Sequence, residues 1–145
     1  MELSSEVFKV PAKTQAVVTT GRRKTAQARA TVRKGSGKVR VNLIPLEIFR
    51  PELARLRMGE PLALAGDVAK KVDIDVVTFG GGVMGQASAV RTAIARGLVE
   101  FLNDKELDDT FRAFDRSIMV NDVRQKEPKH ELGRGARKKR QKSYR

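Results

Sequence analysis

The sequence predicts a single α+β domain that carries a long basic tail at its carboxyl end. Residues 72–78 alternate between apolar and polar side chains, which indicates a strand with one buried and one solvated face. Residues 83–101 then repeat apolar side chains every three or four positions, as an amphipathic helix does. A second alternating segment lies earlier, at 26–43. The 145 residues suffice for one domain with a modest core.

The amino-terminal part predicts an arm followed by a β-hairpin. Residues 1–16 show little periodicity, so we expect a flexible arm there and a globular domain over 17–121. Alternation at 26–33 resumes after a glycine-containing loop at 34–38 and continues through Leu43, which predicts a hairpin with an apolar inner face. Its outer face carries arginines and no acidic residue.

Two short helical segments are predicted next, at 45–49 and 51–58. Pro51 suits a first helical position, and Gly59 is expected to end the second segment. The side chains predicted to face the core are Leu46, Phe49, Leu53 and Leu56.

The glycine-rich stretch between the central strand and the long helix allows two interpretations. Gly80, Gly82 and Gly85 satisfy the spacing G-x-G-x-x-G, which is typical of dinucleotide-binding folds. However, the strand alternates instead of being apolar on both faces, and no second apolar strand ending in an acid follows the helix. We therefore favour a structural turn of Gly80, Gly81, Gly82 and Gly85 that lets the helix lie close to the sheet.

Beyond the long helix the predicted order of the chain decreases. Asn103 is a plausible cap for a helix at 104–113, and residues 116–120 are expected to be extended. The apolar pattern stops near residue 122. We expect 122–145 to form an extended tail that is disordered alone and can reach up to about 70 Å.

The positive charge is concentrated in two segments. The chain has a net charge of +13, with +8 in residues 21–40 and +8 in residues 124–145. The intervening residues 41–123 carry −3, and residues 1–20 are neutral. A protein that needed charge only for solubility would intersperse both signs. The distribution therefore predicts a polyanionic partner, above all a nucleic acid.

The types of basic residue favour RNA contact at both segments. Arginines on the outer hairpin face suit phosphate binding, and Arg137 and Arg140 in the tail can bind phosphates bidentately or stack on bases. Tyr144 either stacks on a base or lies on the surface. Two alternatives are a chromatin-type protein that binds duplex DNA and a membrane-surface protein, which would need apolar residues among the basic ones.

Catalysis and metal binding have little support in the sequence. The only histidine, His130, lies in the tail, and the pairs Asp73–Asp75 and Asp108–Asp109 are expected to be solvated. The absence of cysteine excludes disulfides and thiolate metal sites. No apolar run approaches the ~20 residues that cross a membrane, and no signal peptide is visible. We expect a cytosolic protein that is not an enzyme and has no cofactor.

Three segments in order resemble a known family. The sequence GGGVMGQASAVRTAIARGL at 80–98 is similar to the signature of ribosomal protein nine of the small subunit. The segment TGRRKTAQARA at 20–30 resembles the family's first strand. The ending KRQKSYR at 139–145 resembles its tail in the archaeal and eukaryotic version.

The resemblance implies a left-handed βαβ fold, with a mostly antiparallel four-stranded sheet and helices on one face. It also implies a cytoplasmic, ribosome-bound protein of the small-subunit head, with ribosomal RNA, neighbouring ribosomal proteins and peptidyl-site transfer RNA as partners. Residues implied to contact ribosomal RNA are Arg22, Arg23, Lys24, Arg29, Arg33, Lys34, Lys38, Arg40, Arg134, Arg137, Lys138, Lys139 and Arg140. Residues implied to contact transfer RNA are Lys142, Ser143, Tyr144 and Arg145.

Overall fold

Strands and helices combine in one α+β fold, as the sequence predicts. The computed structural model describes residues 16–138, 141 and 143, so the predicted arm at 1–16 lies outside the described residues except for Ala16. The strands are β1 (Ala16–Arg23), β2 (Ala26–Lys34), β3 (Val39–Val41), β4 (Ile44–Pro45) and β5 (Val72–Phe79). The α-helices are α1 (Glu52–Ala65), α2 (Val83–Leu102), α3 (Lys105–Phe114) and α4 (Arg116–Met119). Two 3-10 helices, Leu46–Ile48 and Gly66–Lys71, flank α1.

The sheet has five strands in the order β1-β2-β5-β3-β4 and is mixed. Strands β3 and β5 are parallel, whereas the other three neighbouring pairs are antiparallel. The expected count of four strands is corrected, because β4 adds a fifth strand of two residues; three of the four pairings are antiparallel and one is parallel.

The predicted hairpin of β2 with β3 is wrong, because β5 lies between these strands. Strand β2 instead forms a hairpin with β1, and β3 forms a short one with β4. Electrostatics explains the insertion: Asp75 of β5 receives hydrogen bonds from Arg33 of β2 and Arg40 of β3. Direct pairing of β2 with β3 would bring basic residues together without an acid, which is unfavourable across neighbouring strands. Leu43, predicted on the inner face, is 88% exposed.

The apolar face of the sheet is covered by α2, whose predicted bounds are confirmed. Two glycines set the close approach of this helix to the sheet. A Cβ on Gly21 of β1 would lie 2.0 Å from the carbonyl oxygen of Ala89, and one on Gly97 would lie 2.5 Å from Cγ2 of Val32. Alternate residues of β5, from Val72 to Thr78, are buried as the alternation predicts.

The side of α2 that faces away from the sheet is also covered. Helices α1, α3 and α4 all contact α2, so almost every position from Ala87 to Leu98 is buried. These buried positions include Arg91 and Thr92, which the apolar stripe does not predict. The helix is therefore the centre of the domain.

Helix α1 continues through the residue that was expected to end it. Both Gly59 and Pro61 lie inside the helix, which ends only at Gly66 with φ of 58°. Ala54, Met58, Pro61 and Ala65 are buried at helical spacing, and their packing outweighs the poor helix propensity of glycine and proline. The predicted core contacts Leu53 and Leu56 are exposed instead.

The helix caps near the end of the domain differ from those predicted. Asn103 ends α2 in the left-handed conformation, and the side chain of Asp104 caps α3 through the N–H of Glu106. Residues 116–119 form the short helix α4 rather than an extended segment, because Asp115 accepts the N–H of Ser117 and starts a helical turn. Ile118 of this turn is fully buried.

Candidate nucleic-acid interface

Three predicted phosphate contacts share the outer face of the sheet. Arg29 and Arg33 project from β2, and Arg40 projects from β3. Between them, Asp75 accepts hydrogen bonds from Arg40 Nε at 2.7 Å and Arg40 Nη2 at 3.0 Å, and another from Arg33. The hydrogen bonds with Asp75 raise the pKa of Arg40. Because one carboxylate serves two guanidiniums, the face keeps a positive charge.

The next two predicted contacts are Lys34, the last residue of β2, and Lys38 in the loop between β2 and β3, and both are exposed. Asp73 of β5 fixes this loop, because its Oδ1 accepts the N–H of Ser36 at 2.8 Å and that of Lys38 at 3.0 Å. These backbone hydrogen bonds lower the pKa of Asp73. The acid that alternates with apolar residues in β5 therefore orders a basic loop.

The glycine turn has a steric basis at two of its positions. Gly80 and Gly81 have φ of 73° and 65°, and a Cβ on Gly80 would lie 2.6 Å from the carbonyl oxygen of Thr25. Gly82 has open space where a Cβ would stand, and a Cβ on Gly85 would make an ordinary contact with Ala26 at 3.4 Å. The turn thus packs against the β1–β2 connection, consistent with the structural interpretation.

The basic residues at the end of β1 hold the root of the tail. Arg23 Nη1 donates to the carbonyl oxygen of Arg124 at 3.0 Å, and Arg23 Nη2 lies 3.1 Å from Asp122 Oδ2. The backbone N–H of Arg22 donates to Asn121 Oδ1 at 3.2 Å. Hydrogen bonds from Arg124, and its charge together with that of Arg23, hold the pKa of Asp122 well below its usual range. Arg23, Asp122 and Arg124 form what we term the tail clasp.

A second arginine anchors the residues just before the clasp. Arg96 of α2 donates through Nε to the carbonyl oxygen of Met119 at 2.8 Å and through Nη1 to that of Thr20 at 2.9 Å. The tail therefore leaves the domain beside β1 at a fixed point. Lys24, which follows the clasp arginine, is exposed in the β1–β2 turn.

The tail beyond the clasp contains no helix over residues 122–138. Arg137 donates to Glu127 through Nε at 2.9 Å and through Nη2 at 2.7 Å, which raises the pKa of Arg137 and lowers that of Glu127. The N–H of Arg134 donates to the carbonyl oxygen of Lys138 at 3.2 Å. The predicted contacts outside the described residues are Lys139, Arg140, Lys142, Tyr144 and Arg145, whereas Ser143 is described and exposed.

Two arginines of the helices, Arg57 and Arg91, were missed by the sequence analysis. Arg57 of α1 lies in a segment whose net charge is negative, so composition gives no signal for it. Arg91 of α2 is only 4% exposed and lies 2.5 Å from Glu60 Oε2 and 3.0 Å from Asp115 Oδ2. It therefore joins α1, α2 and the start of α4, and its position in the signature reflects packing.

Other classes of site receive no positive signal from the described residues. Among residues 16–138, 141 and 143, no three His, Cys, Asp or Glu side chains are grouped as metal ligands. Within the same part of the chain, every helix is too short or too polar to cross a membrane.

Comparison with known proteins gives a consistent result over most of the chain. The sequence model of the family "Ribosomal protein S9/S16" matches residues 21–145. The chain is 59% identical to Small ribosomal subunit protein uS9 of Halobacterium salinarum over 128 residues, which cover 88% of this chain and 97% of the relative. It is 57% identical to the protein of the same name from Thermoplasma volcanium, over 89% of this chain and 98% of the relative.

A third relative extends the agreement to its full length. Small ribosomal subunit protein uS9 of Thermoplasma acidophilum is 55% identical over 129 residues, which cover 89% of this chain and all of that protein. These matches confirm the resemblance that three segments of the sequence indicate. The chain belongs to the Ribosomal protein S9/S16 family, a family of structural ribosomal proteins and not of enzymes.

Proposed function

We propose that this protein is a structural component of the small ribosomal subunit that binds ribosomal RNA with its outer sheet face and its basic tail. The observation that carries the proposal is the segregation of charge within a chain of this family. Residues 21–40 and 124–145 each carry +8, while the domain between them is mildly acidic. Cytoplasmic localisation with the ribosome and contact with neighbouring ribosomal proteins follow from this role.

The geometry supports RNA backbone contact by the outer face. Arg29, Arg33 and Arg40 point away from the apolar core, and Lys34 and Lys38 extend the same basic surface. Phosphate oxygens can replace the oxygens of Asp75 as acceptors for Arg33 and Arg40, because guanidinium binds both kinds of anion bidentately. We include Arg22, Arg23, Lys24 and the tail residues Arg134, Arg137, Lys138, Lys139 and Arg140 in the RNA-binding set.

The tail has a separate role in this proposal. The tail, residues 122–145, binds ribosomal RNA beyond the tail clasp, and its tip contacts peptidyl-site transfer RNA through Lys142, Ser143, Tyr144 and Arg145. The tail clasp supports a role for the tail that is separate from that of the domain, because it fixes the point at which the tail leaves residues 17–121.

The RNA-binding proposal is tested by titrating the protein with small-subunit ribosomal RNA at several salt concentrations. If about eight phosphates are contacted, the logarithm of the affinity falls with that of the salt concentration with a slope of about −6 to −7. Arg29→Gln reduces the slope by about 0.7 to 0.9, whereas Arg112→Gln, on the exposed side of α3, leaves it unchanged. Equal or tighter binding to duplex DNA would favour the chromatin-type alternative.

The role of the tip is tested in reconstituted small subunits. Deletion of residues 142–145 is expected to preserve folding and incorporation of the protein but to weaken binding of transfer RNA to the peptidyl site. The control carries Arg112→Gln in an otherwise complete chain. Unchanged transfer RNA affinity in subunits with the deletion would remove the tip from the proposal.

A further inference from the structure

A small cavity lined mainly by arginines lies beside the tail clasp. Its volume is about 200 Å³, and its walls come from the end of β1, from α1, α2 and α4, and from the root of the tail. The five arginines that line it are Arg22, Arg23, Arg57, Arg91 and Arg124. The only acidic residue of the lining is Asp122, and the hydroxyl groups of Ser88, Thr92 and Ser117 complete the walls. We term it the arginine cavity.

The charges around the arginine cavity are not balanced within the part of the chain that the structure describes. Asp122 is shared by two guanidiniums, those of Arg23 and Arg124, at 3.1 Å and 2.9 Å. Arg91 is compensated outside the lining, by Glu60 and Asp115. Five guanidiniums and these three carboxylates leave a net charge of +2. Like charges gathered in a confined space repel one another, so the cavity favours an anion.

Arg57 is the arginine of this group that most clearly lacks an acceptor. Its Nε is buried and has no hydrogen-bond partner within the described part of the chain. A buried donor without a partner costs free energy, and a charged donor costs more than a neutral one. By contrast, Arg55, two residues earlier on α1, has hydrogen-bond acceptors. It donates to Glu52 Oε1 at 3.0 Å and to the carbonyl oxygen of Glu47 at 2.9 Å.

The arginine cavity also adjoins a wider cleft, which makes it accessible to a polymer. Arg23, Arg57 and Ser88 line both spaces, and the cleft has a volume of about 430 Å³. The cleft leads to Gly81 and Gly82 of the glycine turn. A chain of phosphates can thus pass along the cleft and place one group in the cavity.

We propose that the arginine cavity binds one backbone phosphate of ribosomal RNA, with Arg57 as its principal contact. This inference rests on the proposed RNA-binding function and adds a site on the helical side of the domain, away from the outer face of the sheet. A phosphate supplies the negative charge that the group lacks and acceptors for the planar guanidinium donors.

The first test compares Arg57→Gln with Arg55→Gln, two changes of equal charge on the same helix. Arg57→Gln is expected to weaken binding of small-subunit ribosomal RNA by about tenfold, the scale of one charge-assisted hydrogen bond. It also makes the salt dependence shallower by about 0.7 to 0.9. Arg55→Gln is expected to leave both quantities close to those of the unaltered protein.

The second test adds a negative charge to the wall that the cavity and the cleft share, and it remains informative if Arg57→Gln folds poorly. Ser88→Asp introduces a carboxylate among unbalanced guanidiniums, so the melting temperature of the free protein is expected to stay equal or to rise. Affinity for the RNA is expected to fall about tenfold, as for Arg57→Gln. Ser88→Asn, which has similar size and no charge, is expected to retain the affinity.

The outcomes separate this inference from the function on which it rests. If the unaltered protein prefers ribosomal RNA but all four variants bind alike, the arginine cavity is not a phosphate site and the proposed function stands. If inorganic phosphate raises the melting temperature at constant ionic strength while Arg57→Gln leaves RNA affinity unchanged, the cavity takes free phosphate and the inference is overturned. If the unaltered protein shows no preference for ribosomal RNA, both proposals fail.

Discussion

The close contact between β1 and α2 can be tested by a substitution that adds a single methyl group to β1. In Gly21→Ala, the added Cβ would lie 2.0 Å from the carbonyl oxygen of Ala89 and 2.8 Å from the backbone nitrogen of Ala93. Both clashing atoms belong to the helix backbone, so no side-chain rotation can relieve them. An ordinary contact begins near 3.4 Å. The strand must therefore move away from the helix by more than 1 Å, on the order of the difference between these distances.

The expected cost follows from two contributions. Overpacking a tight contact costs about 1 to 3 kcal/mol. Movement of β1 also weakens the buried hydrogen bond from Thr19 Oγ1 to the carbonyl oxygen of Ala93, which is 2.7 Å long and contributes about 1 kcal/mol. The loss of backbone freedom in the unfolded chain offsets about 0.5 kcal/mol of this cost. We expect Gly21→Ala to lower the free energy of unfolding by about 1.5 to 3.5 kcal/mol.

The matched control is Gly59→Ala, the same chemical change inside α1. A Cβ at this position has nothing within 4 Å, so alanine is expected to stabilise the helix by about 0.8 to 1 kcal/mol. Urea unfolding monitored by circular dichroism measures both variants. A Gly21→Ala protein as stable as the unaltered one, or a Gly59→Ala protein that loses stability to the same extent, would refute the packing described for β1 and α2.

Three further predictions concern charged groups. Arg91→Met is expected to lower the free energy of unfolding by about 2 kcal/mol in urea titrations, less than for a fully buried pair because Glu60 and Asp115 keep some solvent contact. The pKa of Asp115 is lowered mainly by Ser117, so stability is expected to hold above pH ~4 and to decrease as the pH falls below it. Acid titration of Asp115→Asn, which lacks this contribution, measures the effect. Asp75→Asn is expected to raise affinity for ribosomal RNA in filter binding, because it frees the two arginines that the carboxylate bridges.

Each of these predictions has a result that contradicts it. Arg91→Met with unchanged stability would show that the ionic network is not coupled to packing. An acid transition of Asp115→Asn identical to that of the unaltered protein would remove the proposed linkage. If Asp75→Asn bound RNA less tightly, the carboxylate would be positioning the arginines for RNA instead of competing with it.

Patterns that depend on neighbouring residues were predictable, and pairings between distant segments were not. Alternation located β5, and helical periodicity located α2. The strand partner of β3 required the acids of β5 to be placed between two basic strands. Gly59 predicted a helix end, yet α1 continues through both Gly59 and Pro61 because the residues around them are buried.

In the candidate site, too, local features were predictable from the sequence and contacts between distant segments were not. The sequence located the basic segments, because charge density is visible in composition, and it located the family signature. It gave no signal for Arg57, which lies in an acidic segment and gains its neighbours only when α1, α2 and the tail root pack together. It also could not show that Arg23 holds the tail.

The sequence by itself determined the fold class, the family and the two basic segments, because periodicity, signature residues and charge are properties of the linear chain. Only the tertiary structure decided the strand order, the burial of Arg91 and the arginine cavity. These features depend on which distant surfaces come into contact. The physical reason is that packing and electrostatic compensation act through space, so residues such as Arg23 and Asp122 interact although about a hundred positions separate them.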